Sequence, residues 1–195
     1  MCCDTKEKIV SALRELMQER PLQKITVQDI MNCAGMKRQS FYYHFQDIYE
    51  VVGWEVDRKL LAPMCADTNE SGEKWFCRFL ALLDEDRAFY RKAIKAVGRS
   101  RAVARCSPYI RPQAACLLFP GRQSHAAHLS DEETFAVDFV TYALVNYLID
   151  NVLSREPLDT ELSRKRITVS CRAAACFRPQ PVAPVPTVRS FEQPA

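Results

Sequence analysis

Glycine and long hydrophobic runs are both scarce in this sequence. Only 5 of the 195 residues are glycine, and few glycines mean few of the sharp turns that separate strands, which favours helices. No segment approaches the roughly 18 consecutive apolar residues that a membrane span needs. The first residues, Met1 to Glu7, are polar and charged and lack the apolar run of a signal peptide. The sequence therefore predicts an all-α protein of the cytoplasm, with no membrane partner.

The spacing that marks a structural zinc site is absent. The nine cysteines are scattered and none forms a C-x-x-C pair, so most are expected to be small buried apolar side chains in a reducing cytoplasm. Cys2 and Cys3 are adjacent, and a mobile terminus is favoured there over a redox pair. Cys116 with His125 and His128 is the remaining metal alternative, but the spacing is loose and prolines break the loop. Neither a metal nor another cofactor is predicted.

Catalytic signatures are missing as well. The sequence has no nucleophile elbow, no glycine-rich phosphate loop and no recognisable pair of catalytic carboxylates. An enzyme is therefore not predicted, and reproducible turnover by the purified protein would contradict this interpretation.

The composition that is present, 48% hydrophobic and 26% charged, is typical of a folded globular protein. The length suits a small head joined to a larger body. The polar segment 66–73 is the candidate boundary, which predicts a head at 1–64 and a larger helical body at 74–167. The remainder, 168–195, contains five prolines and several arginines without a helical period, so an extended or disordered tail is expected.

The first part of the head is predicted to be two helices. Apolar residues recur at helical spacing from Thr5 to Arg20, and Pro21 excludes a further turn. Thr26 is typical of a helix N-cap, and Asp29 suits the positive end of the helix that follows. That helix is short, about 27–33.

Gly35 is expected to close the short helix, because glycine readily adopts the positive φ of a helix C-terminus. A second short helix should begin at Met36 or Lys37 and run to Phe45. A longer helix is predicted from Asp47 to Leu61, stopping before Pro63.

The body begins with an apolar helix around 75–83 and continues with a basic amphipathic helix from Phe89 to about Cys106. Segment 107–130 contains several prolines and is expected to be irregular. Ser130 with Glu133 forms a capping box that opens a helix through Leu153. This last helix is apolar nearly all round, so it should be buried on more than one side, in the core or at a dimer surface.

Acidic residues are absent between Asp86 and Asp131, where the chain is basic. The basic residues in this stretch are Arg87, Arg91, Lys92, Lys95, Arg99, Arg101, Arg105, Arg111 and Arg122. Arg91, Lys95 and Arg99 are four residues apart, which favours a solvated helix face. The alternative is a site for an anionic ligand or an acidic partner.

Residues 26–45 form a helix-turn-helix pattern, in which the first helix braces the second and the second enters the major groove of DNA. Val27, Ile30 and Met31 are expected to face the core, and Phe41 and Phe45 to anchor the second helix. Arginine and glutamine can read base edges, and lysine, tyrosine and histidine suit phosphate oxygens. The candidate DNA-binding residues are Thr26, Lys37, Arg38, Gln39, Ser40, Tyr42, Tyr43 and His44.

The first 60 or so residues resemble the TetR/AcrR family of bacterial transcription regulators. The resemblance depends on Ile25-Thr26-Val27, Asp29-Ile30, Ala34-Gly35 and, above all, Phe41-Tyr42-Tyr43-His44-Phe45. Ser40 to Tyr49, with Trp54 beyond, also resembles the branch that includes regulators of dihydroxyacetone kinase operons. One position departs from the family, which usually has a phosphate-contacting lysine where this chain has Ile48. Either DNA affinity is lower here or the contact comes from another residue.

The resemblance implies a homodimer that binds double-stranded DNA at a near-palindromic operator, with recognition helices about 34–36 Å apart. A small-molecule effector or a partner protein bound to the body would control it, and repression is the commoner mode in the family. A positive regulator of a metabolic operon is the alternative within this class. Ile48 and the unusual tail motivate another hypothesis, a helical partner-binding scaffold that has lost DNA binding.

Overall fold

The computed structural model describes residues 2–65, 72–119, 129–156 and 159–176, and within these ranges the chain is helical with short connections. The all-α fold class predicted from the sequence is confirmed. The helices are α1 (Cys2–Glu19), α2 (Val27–Cys33), α3 (Arg38–Tyr42), α4 (Ile48–Val56), α5 (Ala62–Cys65), α6 (Gly72–Glu85), α7 (Arg87–Val97), α8 (Arg99–Leu118), α9 (Asp131–Leu153) and α10 (Thr160–Cys176). Of the predicted boundary segment 66–73, residues 66–71 lie outside the described ranges.

The head is α1 to α3 packed around a small core, with α4 connecting it to the body. Ile9, Leu13 and Met17 of α1 are buried, as the helical spacing predicts. They belong to the same buried cluster as Ile30 of α2 and Phe41 of α3. Helix α4 contacts both α1 and α7, so it packs against the head and the body.

The predicted stop before Pro63 is wrong, because the helix continues through the proline to Cys65. Between α4 and α5, residues Asp57–Leu61 form a π-helical segment in which the backbone N–H of Ala62 donates to the carbonyl of Asp57. This wider turn gives room for a proline ring, which would otherwise clash with the preceding turn of an α-helix.

The body helices differ from the prediction of one basic helix followed by an irregular segment. The break comes at Gly98, whose φ of 88° is readily adopted by glycine, and α8 then runs through both Pro108 and Pro112. An interior proline costs an α-helix roughly 3 kcal/mol. Ile110 and Ala114 of α8 are completely buried and α8 packs along α9, and this tertiary packing offsets the local cost.

Helix α9 has one face buried within the chain and one face exposed, so the core accounts for one side and the dimer-surface alternative concerns the other. Val137, Leu144 and Val145 are buried, whereas Phe135, Phe139 and Tyr142 are 62–70% exposed. Among the described residues, α9 is the one helix long and apolar enough to cross a membrane by length and composition. A core helix meets the same criteria, and the buried face of α9 fits that interpretation.

Helix α10 extends past Ile167, where the tail was expected to begin, and ends at Cys176. Ser163 and Ile167 are buried, and α10 packs against α6, α8 and α9, with the Tyr147 hydroxyl of α9 donating to the Ser163 hydroxyl at 3.2 Å. Packing of this face, together with the good helix propensity of the alanines at 173–175, explains why the helix continues. The rest of the predicted tail, 177–195, lies outside the described residues.

The basic stretch is not simply a solvated face, because several of its arginines make specific contacts. Arg87 and Arg91 donate to the carbonyl oxygens of Asn151 and Val152 at 2.5 and 2.9 Å, at the negative end of α9. Arg99 forms an ion pair with Asp150 at 2.6 Å. Arg122 lies outside the described residues.

The cysteines with described side chains are less buried than expected. Cys33 and Cys116 are exposed, and Cys77 and Cys106 are half-buried. Cys33 lies in the last turn of α2, with its sulfur 3.5 Å from a carboxylate oxygen of Glu15. Partial burial and this carboxylate raise the pKa of the Cys33 thiol, so the group stays protonated.

Candidate nucleic-acid interface

Thr26 caps α2, as the sequence predicts. Its hydroxyl accepts a hydrogen bond from the backbone N–H of Asp29 at 3.2 Å. The Asp29 carboxylate in turn accepts from the backbone N–H and the hydroxyl of Thr26, each at 2.8 Å. This reciprocal capping box satisfies the first N–H groups of the helix and fixes where α2 begins.

The turn between α2 and α3 depends on Gly35. Its φ is +66°, a left-handed conformation that side chains rarely adopt. The N–H of Gly35 donates to Asn32 at 3.2 Å, and that of Met36 to Met31 at 2.9 Å. This is the Schellman pattern that ends a helix, and it turns the chain directly into α3.

Helix α3 is shorter than predicted and ends at Tyr42 rather than at Phe45. The chain leaves the helix because Asp47 must adopt an extended conformation, φ −149°, to cap α4 by accepting from the Glu50 N–H. Phe41 and Phe45 are both buried, with ring centroids 6.0 Å apart. These two rings anchor the segment to the head core, as the sequence predicts.

Seven of the eight predicted DNA-binding residues lie in α3 or directly beside it in the chain, and Thr26 is the N-cap of α2. Tyr43 is 81% exposed and Tyr42 is 53% exposed. Thr26, Lys37, Arg38 and Gln39 are also exposed, whereas Ser40 and His44 are half-buried. The exposure of these groups leaves an outward polar surface above the buried Phe41.

Arg38 and Tyr42 are held next to each other across one turn of α3. The guanidinium lies 5.9 Å from the centre of the Tyr42 ring and donates to the Tyr42 hydroxyl at 3.3 Å. This contact restrains both long side chains on the exposed face. Less conformational entropy is then lost when either group binds a partner.

Ile48 begins α4 and packs partly buried against the core. It therefore supports the fold at the position where the resembling family has a lysine. The next residue, Tyr49, is 40% exposed on the first turn of α4. Sequence reasoning missed Tyr49, whose side chain lines a cavity between α4 and the body helices.

No group of three or more histidine, cysteine, aspartate or glutamate side chains within the described residues is placed to hold a metal ion. Cys116, from the metal alternative, lies at an exposed position on α8. His125 and His128 lie outside the described residues.

The segment with the capped helix, the glycine turn and the exposed short helix is similar to known proteins. Residues 9–53 match the family described as bacterial regulatory proteins, tetR family. Over this segment the chain is similar to the tetR family. The tetR-family segment extends from Ile9 in α1 to Gly53 in α4 and includes every candidate DNA-binding residue.

Two relatives extend the likeness beyond the tetR-family segment. The chain is 32% identical over 89 residues to the HTH-type dhaKLM operon transcriptional activator DhaS of Lactococcus lactis subsp. lactis (strain IL1403). That match covers 45% of this chain and 48% of the relative, so it spans about half the relative's length.

The chain is also similar to a solved structure, the dihydroxyacetone kinase operon activator DhaS. The match covers 88% of this chain and 96% of the DhaS chain, with a TM-score of 0.67 at 22% sequence identity. This second likeness shows a shared fold for head and body. The resemblance to regulators of dihydroxyacetone kinase operons is confirmed.

Replacing Thr26 with alanine is expected to lower the free energy of unfolding by about 1 kcal/mol, because an N-cap hydroxyl is lost. Hydrogen bonds from the Thr26 backbone and hydroxyl, with Arg20 nearby, lower the pKa of Asp29 below its ordinary value of 3.8. Because the pKa of Asp29 is lower in the folded state than in the unfolded state, its ionised carboxylate stabilises the fold at any pH above the unfolded-state pKa. This stabilisation is lost as the pH falls through the folded-state pKa. The difference between Thr26→Ala and the native chain should therefore shrink in acid.

Urea unfolding at neutral pH and at about pH 3 measures both effects. Thr26→Ser keeps the hydroxyl and should remain close to the native chain. If Thr26→Ala lowers the free energy of unfolding equally at both pH values, the Asp29 carboxylate does not contribute to the cap.

Proposed function

We propose that this chain is a DNA-binding transcription regulator of the tetR type that acts as a homodimer in the cytoplasm. The main support is the exposed polar surface on and around α3, directly above the buried Phe41. The tetR-family match over residues 9–53 and the names of both DhaS relatives agree with this function.

In this proposal α3 enters the major groove with its N-terminal residues toward the base edges. Arg38 and Gln39 read bases, because both side chains can form paired hydrogen bonds with purine edges. Lys37, Tyr42 and Tyr43 bind phosphate oxygens and set the register. Thr26, Ser40 and His44 complete the contact surface.

The exposed apolar face of α9 supports a homodimer. Phe135 and Phe139 stack with ring centroids 6.3 Å apart, and Tyr142 continues the same stripe. A contiguous exposed apolar patch on a folded chain usually marks a protein interface. Pairing this face with that of a second copy places two heads on one DNA, which a near-palindromic operator requires.

The sign of regulation is proposed to be positive. The sequence alone favoured repression, which is the commoner mode in the resembling family. Both relatives are described as activators, one of a dhaKLM operon and one of a dihydroxyacetone kinase operon. Run-off transcription from the bound promoter should therefore increase when the protein is added.

The first experiment is binding of the full-length chain to DNA from just upstream of its own gene, at low and moderate salt. We expect a footprint of two related half-sites and affinity that falls as salt rises, because phosphate contacts release counterions. Arg38→Ala should weaken binding about tenfold or more, the cost of a lost base contact. Tyr43→Ala should weaken it less and reduce its salt dependence.

Lys165→Ala is the matched control, since it removes a basic side chain from α10, 65% exposed and far along the chain from the head. It should leave DNA affinity unchanged. Unchanged affinity for both Arg38→Ala and Tyr43→Ala would show that α3 is not the reading element. Absent DNA binding together with a tight complex with a partner protein would instead support the scaffold hypothesis.

A further inference from the structure

A cavity of about 410 Å³ lies between α4 and the body helices. Its walls come from α4, α6, α7, α8 and α9, so it separates the helix that carries the head from the helices that form the body. The volume falls within the usual range for a small-molecule site, roughly 300–1,000 Å³. Anything bound here contacts α4 directly.

Most of the cavity wall is apolar, including Val56, Phe79, Leu83, Ile110 and Ile149. Such a wall suits a ligand with a hydrocarbon or aryl body.

The remaining polar groups deep in the wall are uncharged. Burial raises the pKa of the Cys106 thiol to about 11 and raises the pKa of Tyr90 as well. The charge that a ligand meets is therefore decided by the acidic and basic side chains that line the cavity.

The acidic side chains in the lining already have partners. Asp47 accepts from the backbone N–H of Glu50 at 2.8 Å, and Glu50 accepts from the backbone N–H of Gln46 at 2.5 Å. Both carboxylates therefore satisfy the start of α4. Arg101 on α8 is exposed and has no hydrogen-bond or ion-pair partner among the described residues. A positive charge is thus available to a ligand, whereas both carboxylates are held at the start of α4 by backbone N–H donors.

Arg105, one turn after Arg101, connects α8 to α4. Its guanidinium donates to both carboxylate oxygens of Asp57, from Nε at 2.9 Å and from Nη2. It lies flat against Gly53, where an added Cβ would be 2.8 Å from the guanidinium carbon. Gly53 and Asp57 are one turn apart on the same side of the α4 segment, so the absent side chain at Gly53 makes this close contact possible.

We propose that the cavity binds an apolar carboxylate, with its hydrocarbon or aryl body among the apolar walls and its carboxylate between Arg101 and Arg105. This proposal rests on the function proposed above and names the chemical class of its effector. A carboxylate is favoured because Arg105 already pairs with the carboxylate of Asp57 through both donors. A ligand carboxylate can take the place of Asp57 without a change in hydrogen-bond geometry.

This exchange links the ligand to DNA binding. When Arg105 turns to the ligand, α4 loses its ion pair to α8 at Asp57, and the head is no longer held in one position relative to the body. The ligand then shifts the population between two placements of the head by its differential affinity for them.

Isothermal titration of the full-length chain with decanoate, 1-decanol and decyltrimethylammonium tests the proposal, because the three share an apolar chain and differ in charge. Decanoate should bind about tenfold tighter than decanol, from one charge-assisted contact. The cationic probe should bind more weakly than decanol. Equal binding of decanoate and decanol, or tighter binding of the cation, would overturn the proposal.

Substitutions at Arg101 and Asp57 test where the carboxylate of the bound decanoate lies. Arg101→Gln should weaken decanoate binding severalfold and leave decanol binding unchanged, since one of the two arginines that hold the carboxylate loses its charge. Asp57→Asn should increase decanoate affinity about threefold or more, because the competing carboxylate is removed. A merely structural role for the Arg105 ion pair would not produce tighter binding. Decanoate affinity that does not rise in Asp57→Asn would contradict the exchange.

Arg111→Gln is the matched control, because Arg111 lies on α8 and pairs with Asp138 at 2.6 Å but does not line the cavity. It should leave all three affinities unchanged. DNA binding is measured on the same preparations. Intact DNA binding without decanoate binding would overturn the ligand proposal alone, whereas selective decanoate binding without DNA binding would overturn the proposed function alone.

Discussion

Phe41→Ala is expected to lower the free energy of unfolding of the head by about 3–5 kcal/mol, which is usual when a fully buried phenylalanine is truncated. The Phe41 side chain is completely buried and packs edge-on to Tyr42 and at an angle to Phe45, at centroid distances of 5.5 and 6.0 Å. Five-residue α3 has too few internal hydrogen bonds to be stable alone. Without this anchor, DNA binding should be lost together with the fold of the head.

The control is the neighbouring aromatic residue Tyr43, which is 81% exposed. Tyr43→Ala should change stability by no more than about 0.5 kcal/mol, while still weakening DNA binding. Denaturant unfolding followed by circular dichroism measures the two variants. A small loss for Phe41→Ala, comparable to that of Tyr43→Ala, would show that α3 is held by something other than the aromatic core.

Replacing Arg14 with leucine should have the second large effect, a loss of about 2–3 kcal/mol in stability. Arg14 joins three parts of the molecule: its guanidinium is 3.1 Å from Glu55 on α4 and 2.5 Å from Asp86, and 4.6 Å from the centre of the Phe89 ring. Removing one partner of a buried ion pair costs about 3–5 kcal/mol. The loss of stability should be smaller here, because the Glu55 carboxylate still pairs with the Arg58 guanidinium at 3.0 Å.

Two further variants test whether the contacts of Arg14 stabilise the fold more than an exposed surface ion pair does. Arg58→Gln removes another partner of Glu55, but Arg58 is 40% exposed, so its loss should cost less than about 1 kcal/mol. Arg14→Lys should be intermediate, because an ammonium cannot reach both carboxylates while stacking on Phe89. Equal stability losses for Arg14→Leu and Arg58→Gln would show that Arg14 does not join head and body.

The head could be predicted closely from the sequence because its signals are local. The Thr26 capping box, the positive φ of Gly35 and the apolar spacing of α1 each depend on residues a few positions apart. The exception is the end of α3, which depends on how Phe45 enters the core and how Asp47 caps the following helix. The burial of Phe45 and the cap at Asp47 both conflict with a helix that continues through residues 41–45, so α3 ends at Tyr42.

The body was predicted less well because its helices depend on distant partners. Pro108 and Pro112 read as helix breakers, yet the buried packing of α8 on α9 outweighs them. The arginines of α7 and α8 read as a solvated face, yet Arg87 and Arg91 donate to carbonyls more than 60 residues away in sequence. No local pattern indicates such pairings.

The sequence by itself determined the all-α class, the position of the helix-turn-helix and most of its outward-facing residues, although Ser40 and His44 are half-buried. These depend on helix period, capping and turn chemistry, which operate over a few residues. Only the tertiary structure decided that α4 and four body helices enclose a cavity, and that Arg105 crosses from α8 to Gly53 and Asp57. Those features depend on side chains brought together from distant parts of the chain, where the free energy of packing outweighs local preference.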